Sequence, residues 1–320
     1  MQRCYRHETG ENVATWKMQV QDSELPHSFE FQRSPMRWKT SVLAAAMAAA
    51  VPAVATANDA ELHTFHCLSG CPVGAPATND VIVREIYTLS SNDLTKMADW
   101  VAYRVTKDAI GASGDREWRA DPWLGTSETF GPGAYDSASD TLHIDRGHQA
   151  PLASFSGTPW AADSNILSNI TPQSSALNQG AWVKLENRER ELATRLAMPV
   201  YVLTGPLYER MMRPLPAGGD YQRVPSGYWK VVSLADGRST AFVFDQADAR
   251  NRDMCAARVS IRHVELRARL RLFPDATLTA TPLDAELGCA NPANADPAPA
   301  EIPTEIRPRP KKRAAIQLRP

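Results

Sequence analysis

The chain has 320 residues, 43% hydrophobic and 22% charged, with a formal net charge of -1. That length gives ample core for one large domain or two small ones, and the composition is ordinary for a soluble globular protein. The near-neutral balance excludes a global basic excess of the kind that advertises a polyanionic partner, although a local cluster of Arg and Lys can still bind phosphates.

Residues 1–35 are polar, mixed in charge and without helical or strand period. Arg37 and Lys39 then precede an apolar, Ala-rich run from Val42 to Val54, and Ala55-Thr56-Ala57 puts small residues where a signal peptidase reads. The run is short for a bilayer-spanning helix. We therefore expect a signal peptide over residues 36–57, cleaved near Ala57, rather than a membrane anchor. The product is expected to be secreted, periplasmic or extracellular, with no membrane in the mature form. Residues 1–35 have no place ahead of such a signal, so Met36 is expected to be the true start. A globular unit follows over residues 58–290. From Asn291 onward Pro and Ala dominate, and the basic run Arg307 to Arg313 closes a tail over 291–320 that is expected to be disordered.

Within the globular unit, Val81 to Val83, Tyr87 to Leu89 and Ala98 to Arg104 read as strands from their β-prone residues. Thr141 to Ile144 reads as a short strand leading into a turn at Asp145-Arg146-Gly147-His148. Pro199 to Thr204 is a buried-strand candidate. Tyr228 to Leu234 and Thr240 to Phe244 flank Asp236-Gly237, a hairpin cue whose central positions call for positive φ. The clearest helix runs from about Ser174 to Leu196, with Thr171-Pro172 as its expected start. Ala181, Leu185, Leu192 and Leu196 share one face. Asn178, Trp182 and Glu186 drift along its border, where polar groups can look into a cleft. Mixed strands with few helices indicate an α+β fold.

Asp145-Arg146-Gly147-His148 joins an acid, a cation, a residue that admits close backbone approach and an imidazole that titrates near neutrality. Alone, such a His beside Gly is more often a structural or surface residue. Cys67 and Cys71 are expected to be a disulfide, because the signal peptide predicts oxidation, and a zinc site with His63 and His66 close by is the competing reading. Residues 141–191 decide more. Asp145-Arg146-Gly147-His148-Gln149-Ala150-Pro151-Leu152-Ala153-Ser154, Leu167-Ser168-Asn169-Ile170-Thr171-Pro172-Gln173, Asn178-Gln179-Gly180-Ala181-Trp182 and Leu185-Glu186 resemble the DNA/RNA non-specific endonucleases with a ββα-metal site. The likeness extends over about residues 62–290.

That resemblance implies an antiparallel sheet flanked by helices and a secreted hydrolase cutting DNA and RNA to 5′-phosphorylated products. It implies Mg²⁺ as cofactor, with Mn²⁺ as a substitute, and suggests a homodimer. Asn178 matches the family's single protein ligand to the metal, and a neutral amide oxygen suits a hard cation that keeps most of its waters. His148 matches the general base. Asn169 matches the residue that holds this centre by a side-chain hydrogen bond, and Glu186 the carboxylate that holds a metal-bound water. Arg146 is expected on a phosphate oxygen. Arg116 matches the transition-state arginine, in an Arg-Glu-Trp context where the family has Arg-Asn-Trp. Cys67 with Cys71, and Cys255 with Cys289, match its two disulfides. Asp145 is left without a firm role. A non-catalytic secreted nucleic-acid binder of the same fold is the alternative, and it would be expected to lack His148 or Asn178.

Overall fold

A computed structural model describes residues 62–112, 114–219, 222–275 and 282–289. The expected signal segment, the alternative start and the basic tail lie outside the described residues.

Seven strands form one sheet in the order β1-β2-β3-β6-β7-β8-β9. They are Asp80–Val83, Tyr87–Asn92, Met97–Val105, Val200–Leu207, Gly227–Leu234, Ser239–Asp245 and Arg258–Val259. Every pairing in it is antiparallel. Two further strands, β4 (Ile144–His148) and β5 (Ile170–Ser174), pair with each other in a separate ladder. The helices are α1 (Ala138–Leu142), a single turn α2 (Ser175–Leu177), α3 (Val183–Leu196) and α4 (Ile261–Ala268). This is an α+β fold in which β4, β5 and the α2–α3 helix make a ββα unit.

Side chains alternate across a strand, so each strand of the central sheet feeds two layers. Tyr103, Val202, Tyr228, Val232 and Phe244 enter one core with Ala181, Trp182, Leu185 and Leu192 of the α3 region. Trp100, Leu203, Trp229 and Val231 enter a second core with Val264 of α4, Leu270, Leu272 and the Cys67–Cys71 bridge. With both faces covered, all eight residues of β7 are buried, which is why its sequence shows no polar alternation.

Three local expectations need correction. Asp145 to His148 is strand β4 rather than a turn, and of the strand expected over Thr141 to Ile144 the first two residues close helix α1 while Ile144 opens β4. Thr171 and Pro172 belong to β5 and do not start the helix, which begins where its expected range did, with Ser174 as the cap that accepts from the Leu177 amide. Pro172 is tolerated because its carbonyl, not its missing N–H, is used: it accepts from the Tyr228 hydroxyl and the Gln246 amide. In the β7–β8 hairpin only Gly237 has positive φ, at 88°. A four-residue connection over 235–238 replaces the two-residue turn.

Cys67–Cys71 and Cys255–Cys289 are disulfide-bonded. His66, instead of facing a metal, bonds Thr88 Oγ1 and the Glu85 carbonyl. The second bridge closes a loop with a sequence separation of 34, which by chain entropy stabilises the fold by about 4 kcal/mol. Cys255→Ser with Cys289→Ser should lower the unfolding free energy by about that amount in urea denaturation. An unchanged midpoint would show that the segment around Cys289 is held by packing alone.

Candidate active site

The β4–β5 ladder sets His148 opposite Ile170 and Asp145 opposite Gln173. Gly147 is required there because a Cβ would lie 2.6 Å from both Cβ and Oε1 of Gln173. The close approach it permits is therefore to the partner strand. His148 Nε2 lies 2.9 Å from Asn165 Oδ1. An amide oxygen only accepts, so Nε2 carries the proton and Nδ1 keeps its lone pair. Trp118 packs on the ring, with centroids 5.3 Å apart. Burial, opposed by the Asn165 bond and aided by the nearby Arg116 charge, pushes the imidazole pKa down to about 4.

Asn169 is fully buried. Its Oδ1 accepts from the Ala150 amide, and its Nδ2 donates to the carbonyls of Ala150 and Ser164. It thus clamps the chain after His148 to the turn that carries Asn165. Ser168 ties the same turn to buried Asp121, which is paired with Arg84.

The opposite wall is the start of the helix. Residues Asn178–Trp182 form a wide π turn in which Gly180 departs from helical geometry, with φ -113° and ψ -114°. The extra residue turns Trp182 inward against Tyr228 and Phe244, correcting its expected place at the helix border. Asn178 stays on the cleft. Asp145 accepts from Ser175 Oγ at 2.6 Å and from the amide nitrogens of Asn178 and Gln179 at 2.9 Å. With its nitrogen held, Asn178 has its Oδ1 free for a cation. An amide oxygen beside the carboxylate of Glu186 is a donor set that fits a hard divalent ion. Among the described residues there is no group of three His, Cys, Asp or Glu around a shared point.

One turn along α3, burial raises the Glu186 pKa to about 7 against the pull of Lys230. Lys230 is itself fully buried, 3.1 Å from Glu189 and 3.9 Å from Glu186. Tyr103 donates to Glu189, and the ammonium lies 4.1 Å from the Trp182 ring centre. Two carboxylates thus share one buried ammonium, and the charge of Glu189 adds to the rise at Glu186.

These walls enclose a cleft of about 830 Å³ lined by Arg116, Arg146, His148, Asn178 and Glu186 together. Arg146 donates to the Pro132 carbonyl and lies over Trp118 and Tyr135. Arg116 is exposed. Asn169 does not line the cleft. Sequence reasoning missed Asn165, Trp118, Arg190 and Arg250 as parts of the site. Arg190 was legible, lying one helical turn beyond Glu186, whereas Asn165 and Arg250 carry no local signal.

A family model for DNA/RNA non-specific endonucleases matches residues 70–277. The nuclease of Serratia marcescens is 42% identical over 269 residues, covering 80% of this chain and 100% of that protein. Human mitochondrial endonuclease G is 31% identical over 177 residues, covering 50% of this chain and 57% of that one. Among solved structures, a chain of an EndoG/EndoGI complex superposes with a TM-score of 0.54 at 22% identity, covering 64% of this chain and 89% of that one.

The low imidazole pKa follows from burial disfavouring the cation, so the ring stays neutral until the medium is strongly acid. At about pH 6, nitrogen-15 NMR should find His148 neutral and protonated on Nε2. A doubly protonated ring at that pH would refute the proposed environment.

Proposed function

This chain belongs to the DNA/RNA non-specific endonuclease family, and on that premise we propose that it is a secreted, Mg²⁺-dependent enzyme hydrolysing phosphodiester bonds of both DNA and RNA to 5′-phosphorylated oligonucleotides. The observation that carries the reading is a base with a free Nδ1, His148, sharing one cleft with Asn178, Glu186 and four guanidinium groups.

In the proposed reaction His148 Nδ1 takes a proton from the water that attacks phosphorus. A new P–O bond forms and the bond to the 3′ oxygen breaks. Asn165 holds the opposite ring edge, so the ring cannot swing and its tautomer is fixed. The neutral ring is available as a base across the physiological range, and the charge of a bound phosphate raises its proton affinity when the step occurs. Arg116 and Arg146 offer forked donors to the phosphate oxygens as their charge grows. Asn178, oriented by Asp145, would hold Mg²⁺, or Mn²⁺ in its place, and Glu186 would hold its waters. When bound, such an ion supplies charge stabilisation to the leaving oxygen and the transferring phosphoryl group. The wall groups are guanidiniums and amides suited to phosphates, not a reading helix suited to base edges. This supports indifference to sequence and to the sugar.

Incubation of plasmid and total RNA with the purified protein, in Mg²⁺ or in EDTA, tests the activity. Degradation of both in Mg²⁺ alone is expected, and degradation of neither would favour the non-catalytic binder. His148→Ala should lower turnover by about 10²- to 10⁴-fold with the fold retained. Asn178→Ala should raise the Mg²⁺ concentration needed for half-maximal rate, and Asp145→Ala should do so to a lesser degree. Wild-type rates from His148→Ala would rule it out as the base.

A further inference from the structure

The connection between β8 and β9 is braced at nearly every charge. Asp245 takes both Arg210 nitrogens, and Asp248 pairs with Arg252 at 3.2 Å. The Asp253 side chain accepts from the Cys255 amide. Gln246 donates to the Pro172 carbonyl and accepts from the Ser174 amide, which ties the loop to the back of β5. Cys255 anchors its far end through the disulfide to Cys289. Between the paired Asp248 and Arg252 stands Arg250, exposed, on the wall of the cleft, and without a hydrogen bond or ion pair among the described residues.

Its position is set by a second feature that the proposed reaction does not use. A Cβ on Gly180 would lie 2.6 Å from the Arg250 carbonyl oxygen and 3.0 Å from its Cα. The missing side chain lets the loop sit directly on the π turn that carries Asn178 and Gln179. Arg116, Arg146 and Trp118 cluster at the His148 end of the cleft. Arg250 therefore supplies positive charge at the opposite end. A guanidinium on a stiff loop, with its donors unspent and desolvation cost low, suits a phosphate oxygen.

We propose that Arg250 is a substrate-binding residue that holds the phosphodiester flanking the scissile one on the Asn178 side. This rests on the nuclease reading of the cleft. It assigns Arg250 to binding rather than chemistry, so its loss should raise KM for long substrates and leave kcat near the wild-type value.

The test uses His148→Ala as a non-cleaving background, with a fluorescent DNA duplex in EDTA over a range of KCl concentrations. Adding Arg250→Ala should weaken binding about tenfold. The slope of log Kd against log salt should become shallower by about 0.9, the value for one lost phosphate contact. Arg250→Lys should keep the slope. Single methylphosphonate replacements along the strand should weaken the background protein at one flanking phosphate, and the Arg250→Ala protein should be insensitive at that same phosphate. An unchanged salt slope, or a penalty at that phosphate that simply adds to the Arg250→Ala effect, would overturn the assignment while leaving the nuclease reading in place. No binding by the His148→Ala background at any salt would overturn both.

Discussion

The β4–β5 ladder is the constraint on which the rest of the site depends. Because side chains alternate along a strand, Arg146 and His148 point toward Trp118 while Asp145 points toward Ser175 and Asn178. Five residues thus address two walls of one cleft. A register slip by one residue would exchange the walls, sending the imidazole to the helix and the carboxylate to Trp118. Gly147 protects the register, since any side chain there would collide with Gln173. The ladder is short and outside the main sheet, so its position comes from elsewhere: Tyr228 and Gln246 of the large sheet and its loop both bond the Pro172 carbonyl.

The helix wall is held by a different device. β7 runs through the middle of a sheet covered on both faces, and Lys230 is buried there without access to water. An isolated ammonium in that position would be very costly, and Glu189 and Glu186 on α3 offset it. The pair also dictates how α3 rotates on the sheet, because only one rotation brings both carboxylates down to the ammonium. Glu186 is thereby fixed at the edge of the cleft and Arg190 one turn beyond it. The raised pKa of Glu186 follows from the burial that this placement imposes, which the ammonium 3.9 Å away offsets only in part.

Much of this was legible in the residues. Strands β2, β3, β6 and β7 announced themselves through runs of Tyr, Val, Trp and Leu, and the helical spacing of Ala181, Leu185 and Leu192 identified the packed face. Asp145-Arg146-Gly147-His148 and Asn178 belong to motifs, and the motifs brought the correct family. What stayed hidden was set by contacts distant in sequence. The strand character of Thr171-Pro172 arises from pairing with β4, which local cap chemistry outweighed in the reading. The inward turn of Trp182 comes from a π turn that no simple 3.6-residue period describes. Asp145 showed no role because its partners, Ser175, Asn178 and Gln179, lie about 30 residues on.

The near-neutral composition acquires a physical meaning once the cleft is in place. Four arginines line it, and they are not equivalent. Arg190 donates to Asn187 and Ser154, and Arg146 to the Pro132 carbonyl, so both are oriented before anything binds. Arg116 and Arg250 are exposed. Elsewhere acidic residues offset basic ones in pairs such as Arg210 with Asp245 and Arg267 with Glu209. Pairing weakens the field of those distant arginines, while Arg116 and Arg250 leave exposed positive charge on the cleft wall. A chain with a net charge of -1 can therefore still present positive charge to a polyanion at one place. That distribution favours productive encounter over diffuse adsorption, which would hold a long polymer against the wrong faces of the protein.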